Sequence, residues 1–207
     1  MKFYQTSILL LIIVIILLLV EPHLPKAGHH SHGKKGGKDT ISIIHQRKSV
    51  RMYLDKAVEE EKLMELVKAG MAAPTARDKR PWKFIVVTGK ENLQKLAKYK
   101  RADLIAKAGA AIVVAGVPSK FLDGQAADYW IQDCSAATQN ILLAAEAMGL
   151  GAVWTGAWPS KEASDNIKKI LNLDADTTPL NVVAIGYPTG KEKPKDKFDP
   201  KDVQFIK

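Results

Sequence analysis

The 207-residue sequence predicts a domain of alternating helices and strands, α/β or α+β in class. Three observations carry that expectation. Short β-rich or wholly apolar runs recur at 84–88 ("FIVVT"), 110–116 ("AAIVVAG") and 180–187 ("LNVVAIGY"). Between them lie longer stretches whose apolar residues return every three or four positions, the spacing of one helix face. Hydrophobic residues make up 46% and charged residues 26%, which is enough apolar material for a core in a chain of single-domain length.

Taken in chain order, the first forty residues stand apart. "ILLLIIVIILLLV" at 8–20 is wholly apolar, and no charge falls between Phe3 and Val20. Residues 1–25 therefore read as a membrane anchor or a secretory signal. Lys2 and the 13-residue apolar core suit a signal, but no A-x-A cleavage pattern follows Val20. Lys26, Lys34, Lys35 and Lys38 follow the segment, and the positive-inside rule places such a flank, with the domain behind it, on the cytoplasmic side. The expectation is an anchor over residues 3–20, with export after signal cleavage as the competing reading. Residues 26–40 are rich in Gly, His and Lys, the composition of a flexible tether, and His29, His30 and His32 read as part of it.

From residue 41 onward the chain reads as one domain. Residues 59–71 place Leu63, Leu66, Val67 and Met71 on one helix face. The strand at 84–88 follows, then two helical pieces within 90–108 and the buried strand at 110–116. Residues 126–149 give the longest helical pattern, with Trp130, Cys134, Ala137, Ile141, Ala145 and Met148 in phase and Gly149 as its stop. "GAVWTG" at 151–156 reads as a strand. Pro159–Ser160 opens a helix carrying Ile167, Ile170 and Leu171, and the strand at 180–187 closes the core. The tail after it is polar and extended. No internal repeat is visible.

The formal net charge is +9, of which the first forty residues supply +3. A basic balance suits nucleic acid, an anionic membrane or a phosphorylated ligand. Aromatic residues are only 7% of the chain, too few for the stacking platforms of a single-strand groove, so no nucleic-acid partner is expected. A lone cysteine, Cys134, excludes an intramolecular disulfide and a cysteine-based zinc site, and its apolar helical context reads as core packing.

Four stretches carry chemistry. In "RKSVRMY", Arg47 and Arg51 flank Ser49, so two guanidinium forks and a hydroxyl offer several donors to a phosphate. "MAAPTARDKRPWKF" is stiffened by Pro74 and Pro81, and such a loop can hold Thr75, Ala76 and Asp78 against a planar ligand while Trp82 anchors it. "GLGAVWTG" allows close backbone approach but lacks the dinucleotide-binding fingerprint. "KPKDKFDP" offers Lys195 and Lys197. Each stretch alone also reads as ordinary surface, loop or helix-stop sequence.

Their order and spacing resemble the nitroreductase-like flavoproteins over Ile41–Phe205. The family's Arg-x-Ser-x-Arg motif matches Arg47, Ser49 and Arg51. Its Pro-Ser/Thr-Ala-x-Asn-x-Gln-Pro-Trp loop matches Pro74, Thr75, Ala76, Asp78, Arg80, Pro81 and Trp82. Its central helix running into Gly-Leu-Gly and a strand matches residues 133–156, and its Gly-Tyr-Pro followed by a basic pair matches Gly186, Tyr187, Pro188, Lys195 and Lys197.

The resemblance implies an α+β, three-layer fold with a mixed, mostly antiparallel sheet flanked by helices, in an intertwined homodimer that binds FMN at the subunit interface. It implies that Arg47, Ser49 and Arg51, with Lys195 and Lys197 of the tail, grip the FMN phosphate, and that Lys48 is among the cofactor-binding residues. Pro74, Thr75, Ala76 and Asp78 would line the pyrimidine edge, with Arg80 cofactor-binding beside them and able to offset the Asp78 charge, and Trp154, Thr155 and Gly156 would lie on the N5 side. NADH or NADPH would give a hydride to N5, and a nitroaromatic, quinone or similar small acceptor would then use the same site, in ping-pong fashion. No side chain need act as acid or base, so no catalytic residue and no metal ligand is expected. A reductive dehalogenase of the same fold and a membrane-tethered flavin-binding protein without turnover are the alternatives. Two positions depart from the pattern. Asp78 stands where Asn is usual and Arg80 where Gln is usual, which puts a carboxylate beside a ring that becomes anionic on reduction.

Overall fold

Strand pairing in the computed structural model, which describes residues 39–207, gives a single four-stranded sheet among those residues. Strands β1 (Trp82–Val87), β2 (Ala110–Gly116), β3 (Gly151–Gly156) and β4 (Thr178–Gly186) lie in the order β1-β2-β4-β3, with every neighbouring pair antiparallel. A parallel bridge from Ser49 to Ala152 adds the second direction at the outer edge of β3. The β2–β4 register shifts between Val114 and Ala115, where Pro179 enters the ladder. Proline has no N–H to give, and the strand bulges there. The Leu180 carbonyl, skipped by the ladder, accepts instead from the N–H groups of Ala157 and Trp158 at 2.9 and 3.0 Å.

Helices cover both faces of this sheet. On one face α2 (Glu60–Met71) and α5 (Tyr129–Ala147) pack Leu63, Leu66, Cys134, Ala137 and Ile141 against Ala110, Ile112, Val114, Val183 and Ile185. On the other, α3 (Lys90–Ala97), α4 (Asp103–Ala106) and α6 (Lys161–Ile170) bring Leu93, Leu96, Ile105 and Ile167 onto Ala111, Val113, Val182 and Ala184. Successive strand residues alternate between the two cores. Because both faces are buried, β2 reads as an unbroken apolar run, and β4 as one interrupted only by the buried Asn181 after its first residues, rather than as alternating patterns. The three-layer α+β expectation therefore holds.

The elements differ from their sequence outlines mainly at the ends. β1 starts at Trp82, ahead of the β-rich run at 84–88, because pairing with β2 continues to Trp82–Gly116, and it ends at Val87 rather than 88. The long helix α5 begins at Tyr129 rather than 126. It ends as the sequence suggests. Gly149 has φ 72°, its N–H bonds Glu146 O at 3.2 Å, and Leu150 N–H bonds Ala145 O at 2.8 Å, a Schellman stop. A short helix α1 (Thr40–Gln46) was not foreseen; it contains no buried residue, and so left no apolar periodicity to read. Cys134 is fully buried, as expected, and burial pushes its thiol pKa up to about 12.

Residues 1–38, with the apolar segment and most of the tether, lie outside the described residues. Among the described residues no helix is long and apolar enough to cross a membrane.

Candidate functional site

The segment 47–53 meets the outer edge of β3 at Ser49 and Val50 and pairs at Tyr53 with Pro188 after β4. Val50 N–H donates to Ala152 O at 3.0 Å, and Val50 is buried. A Cβ on Gly151 would lie 2.6 Å from Val50 Cγ1, so only glycine lets the two segments come this close. The Tyr53 hydroxyl stands 2.6 Å from Val50 O and 3.2 Å from Ala184 O, and burial pushes its pKa up. With Val50 turned inward, a two-residue repeat turns Arg47, Ser49 and Arg51 the other way, which is the physical content of the Arg-x-Ser-x-Arg spacing.

These three residues line a cleft of about 1040 Å³, and Lys193, Lys195 and Lys197 of the tail line it too. Chain positions nearly 150 residues apart thus form one cationic cradle, and the two sequence stretches singled out for a phosphate meet. Lys48 also lines the cleft, but its ammonium donates to both Glu146 oxygens at 3.2 and 2.9 Å, so its charge is matched within the protein. His45, Gln139 and the carboxylates Glu192 and Asp196 are further polar members of the lining and were not anticipated. The Glu192 Oε1 accepts from the backbone N–H groups of Arg51 at 2.8 Å and Met52 at 3.0 Å. Burial raises the Glu192 pKa, but those N–H groups and the Arg51 guanidinium outweigh it, and the group titrates below the usual glutamate range.

The loop between α2 and β1 does not line this cleft, and neither do Trp154, Thr155 and Gly156. The loop is firmly built all the same. Arg77, Asp78 and Arg80 have φ of 53°, 52° and 47°, three left-handed non-glycine residues among four. Such backbone persists only where its surroundings hold it. Ala76 N–H donates to Asp133 Oδ1 on α5 at 2.9 Å, Arg80 N–H to Thr75 Oγ1 at 3.2 Å, and Pro81 and Trp82 are buried. Asp78 is not a bare carboxylate. Arg80 grips it with Nε at 2.7 Å and Nη2 at 2.6 Å, and this contact lowers the Asp78 pKa and raises that of Arg80. Asp133 was missed by sequence reasoning, since a single acid on a helix carries no local signal.

At the end of β3, Trp154 is 36% exposed and Gly156 is exposed, whereas the Thr155 side chain is buried towards the opposite layer. Its hydroxyl accepts from Tyr99 at 2.8 Å and donates to Val182 O at 2.8 Å, which leaves only its backbone for a ligand. Lys100 donates to Gly156 O at 2.5 Å. Helix α5 is the common support of these features. Asp133 holds the loop, Gln139 lines the cleft and Glu146 pairs Lys48, in a span of about 20 Å at 1.5 Å per residue. No group of three or more His, Cys, Asp or Glu that could hold a metal occurs among the described residues.

Comparison with known proteins fits this arrangement. The Nitroreductase family profile matches residues 44–116 and 98–187. A protein of Methanothermobacter thermautotrophicus, provisionally named NADH dehydrogenase/NAD(P)H nitroreductase, is 37% identical over 180 residues, covering 86% of this chain and 92% of its own. A crystal structure with the same provisional name from Parabacteroides distasonis superposes with a TM-score of 0.74 at 45% identity, over 80% of this chain and 96% of that one. An FMN-dependent nitroreductase from Clostridium difficile gives a TM-score of 0.73 at 30% identity, over 81% of this chain and 99% of that one.

Proposed function

The chain belongs to the nitroreductase family, and on that premise we propose that it is an NAD(P)H-dependent FMN oxidoreductase that reduces a nitroaromatic, quinone or similar small acceptor in a ping-pong cycle. The observation that carries the reading is the meeting of Arg47, Ser49 and Arg51 with Lys195 and Lys197 in one cleft. Guanidinium forks, ammonium groups and a hydroxyl are the donor set of a phosphate monoester, and the cleft has room for the rest of a mononucleotide. When bound, FMN supplies the redox chemistry, accepting a hydride from NAD(P)H and later releasing electrons to the acceptor. The protein binds and orients. Arg47 and Arg51 neutralise the phosphate, and the Pro74–Arg80 loop and the β3 end present backbone groups to the ring. No side chain is needed as a proton donor.

Homodimerisation is part of the proposal. The loop residues Pro74, Thr75, Ala76, Asp78 and Arg80 do not line the cleft of their own chain, and a second copy would bring a complete set of groups around one flavin. Ile41, Ile44, Met52, Leu54 and Met71 are exposed, as a surface awaiting another chain would be. The N-terminal segment is proposed as an anchor over residues 3–20 that leaves the domain on the cytoplasmic side. Fractionation of the full-length chain should then recover it with membranes, and a soluble exported form lacking that segment would overturn the anchor.

Anaerobic mixing tests the activity. Purified protein should be yellow, bleach with NADH or NADPH, and regain colour when an acceptor from a nitroaromatic and quinone panel is added. A colourless protein that binds no FMN would defeat the reading. Yellow protein that neither nucleotide bleaches would leave a flavin binder without turnover. Arg47→Ala or Arg51→Ala removes a charge-assisted contact of about 1.5–3 kcal/mol and should weaken FMN roughly tenfold to a hundredfold.

A further inference from the structure

We infer that Glu192 is a positioning residue for the cofactor phosphate, the clamp that holds the lysine-bearing tail over the Arg-x-Ser-x-Arg segment; the inference rests on the FMN reading above. A carboxylate is out of place in a cleft that receives a phosphate, since like charges repel. Of the two that line it, Asp196 and Glu192, only Glu192 bonds the Arg-x-Ser-x-Arg segment itself. Its Oε1 ties down the N–H groups of Arg51 and Met52, while Oε2 is buried with no hydrogen-bond partner among the described residues. A buried polar atom without a partner is costly, so the group is held there by the contacts of its other oxygen.

The tail shows what those contacts achieve. As it leaves β4 it is fastened in steps. Leu54 N–H bonds Tyr187 O at 2.8 Å, Thr189 N–H bonds Met52 O at 3.2 Å, and Glu192 follows. Beyond Glu192, the tail's hydrogen bonds among the described residues are internal, such as Phe198 N–H to Asp196 and Lys201 N–H to Asp199. Glu192 is thus the last hydrogen-bonded tie between the tail and the body of the domain, and Lys195 and Lys197 follow it within five residues. An extended chain of that length reaches far in any direction once released. The tie to Arg51 N–H limits that reach to the neighbourhood of Arg51. Glu192 therefore acts through the tail cations and not by touching the phosphate.

The test is an FMN titration of flavin-stripped full chain, read by fluorescence quenching. Glu192→Ala should weaken FMN by roughly tenfold, the value of a charge-assisted bond. Glu192→Gln should stay near wild type, because its amide oxygen still accepts from both N–H groups. In a Lys195→Ala/Lys197→Ala background, Glu192→Ala should cost nothing further, since residues acting as a unit are not additive. Wild-type affinity in Glu192→Ala, a loss of equal size in the double-lysine background, or Glu192→Gln as weak as Glu192→Ala would each overturn the clamp. Amide exchange in the wild-type protein gives a readout that needs no variant: Arg51 and Met52 N–H should be protected, and fast exchange at both refutes the tie. If the wild type binds no FMN, the functional reading falls and this inference with it. If the lysine variants lose affinity but Glu192→Ala does not, only the clamp falls.

Discussion

Arg80 and Asp78 show what one pair of side chains changes. An isolated carboxylate beside the flavin would oppose the negative charge that arrives on reduction. The bidentate Arg80 contact makes the pair neutral, although both side chains are largely exposed and the contact is screened. Arg80→Gln should therefore lower the flavin midpoint potential, by less than about 30 mV. Asp78→Asn/Arg80→Gln should return it towards wild type. A rise in Arg80→Gln, measured by dye-equilibrated reduction, would contradict the sign. Burial governs two other groups. The pKa values of the Cys134 thiol, pushed from 9.0 to about 12, and the Tyr99 phenol, pushed from 10.0 to about 12, are both raised in the folded state. The unfolded chain loses these protons first, so their contribution is full below about pH 9 and is lost as pH rises towards 12. Melting temperature should fall across that window, and less steeply in Cys134→Ala. A thiol reagent at pH 8 should leave native Cys134 unmodified.

Among the elements, β3 and α5 place the site. β3 lends its outer edge to the Val50 backbone, and Gly151 makes room for the Val50 side chain. Gly151→Ala would put a Cβ 2.7 Å from Val50 Cβ, a stiff contact that no rotamer change relieves. The extended segment carrying Arg47, Ser49 and Arg51 must then shift. FMN affinity should fall by roughly tenfold or more, and stability should fall as well, because the displaced Val50 is 1% exposed and part of the core. Calorimetry beside the titration separates the two, and an unchanged affinity would mean that the cradle does not depend on β3. On α5, the acid and the amide that serve the loop and the cleft are carried by a helix whose inner face is fixed by Cys134, Ala137 and Ile141.

At the scale of the whole molecule, the cationic cleft of a single chain is not lined by the Pro74–Arg80 loop. A second copy is the economical way to unite them. Sedimentation of the domain without residues 1–38 should give a dimer holding about one FMN per chain, as expected for an interface that completes a ligand site. A stable FMN-loaded monomer would show that one chain closes the site alone.

The sequence by itself determined the main elements, though not α1, and the cationic motif. The three- and four-residue spacing of α2 and α5, the apolar runs of β2 and β4 and the Gly149 stop are local signals, and extended backbone alone puts Arg47, Ser49 and Arg51 on one side. Only the tertiary structure decided which charges are free to act. Lys48 is matched by Glu146 and Thr155 is turned into the opposite core, while Asp133 and Glu192, ordinary acids in a chain that is 26% charged, become the supports of the loop and the tail. Periodicity and turn chemistry are written within a few residues of one another. Which distant charge meets which backbone N–H depends on the packing of the whole sheet and its helices, and no local pattern records it.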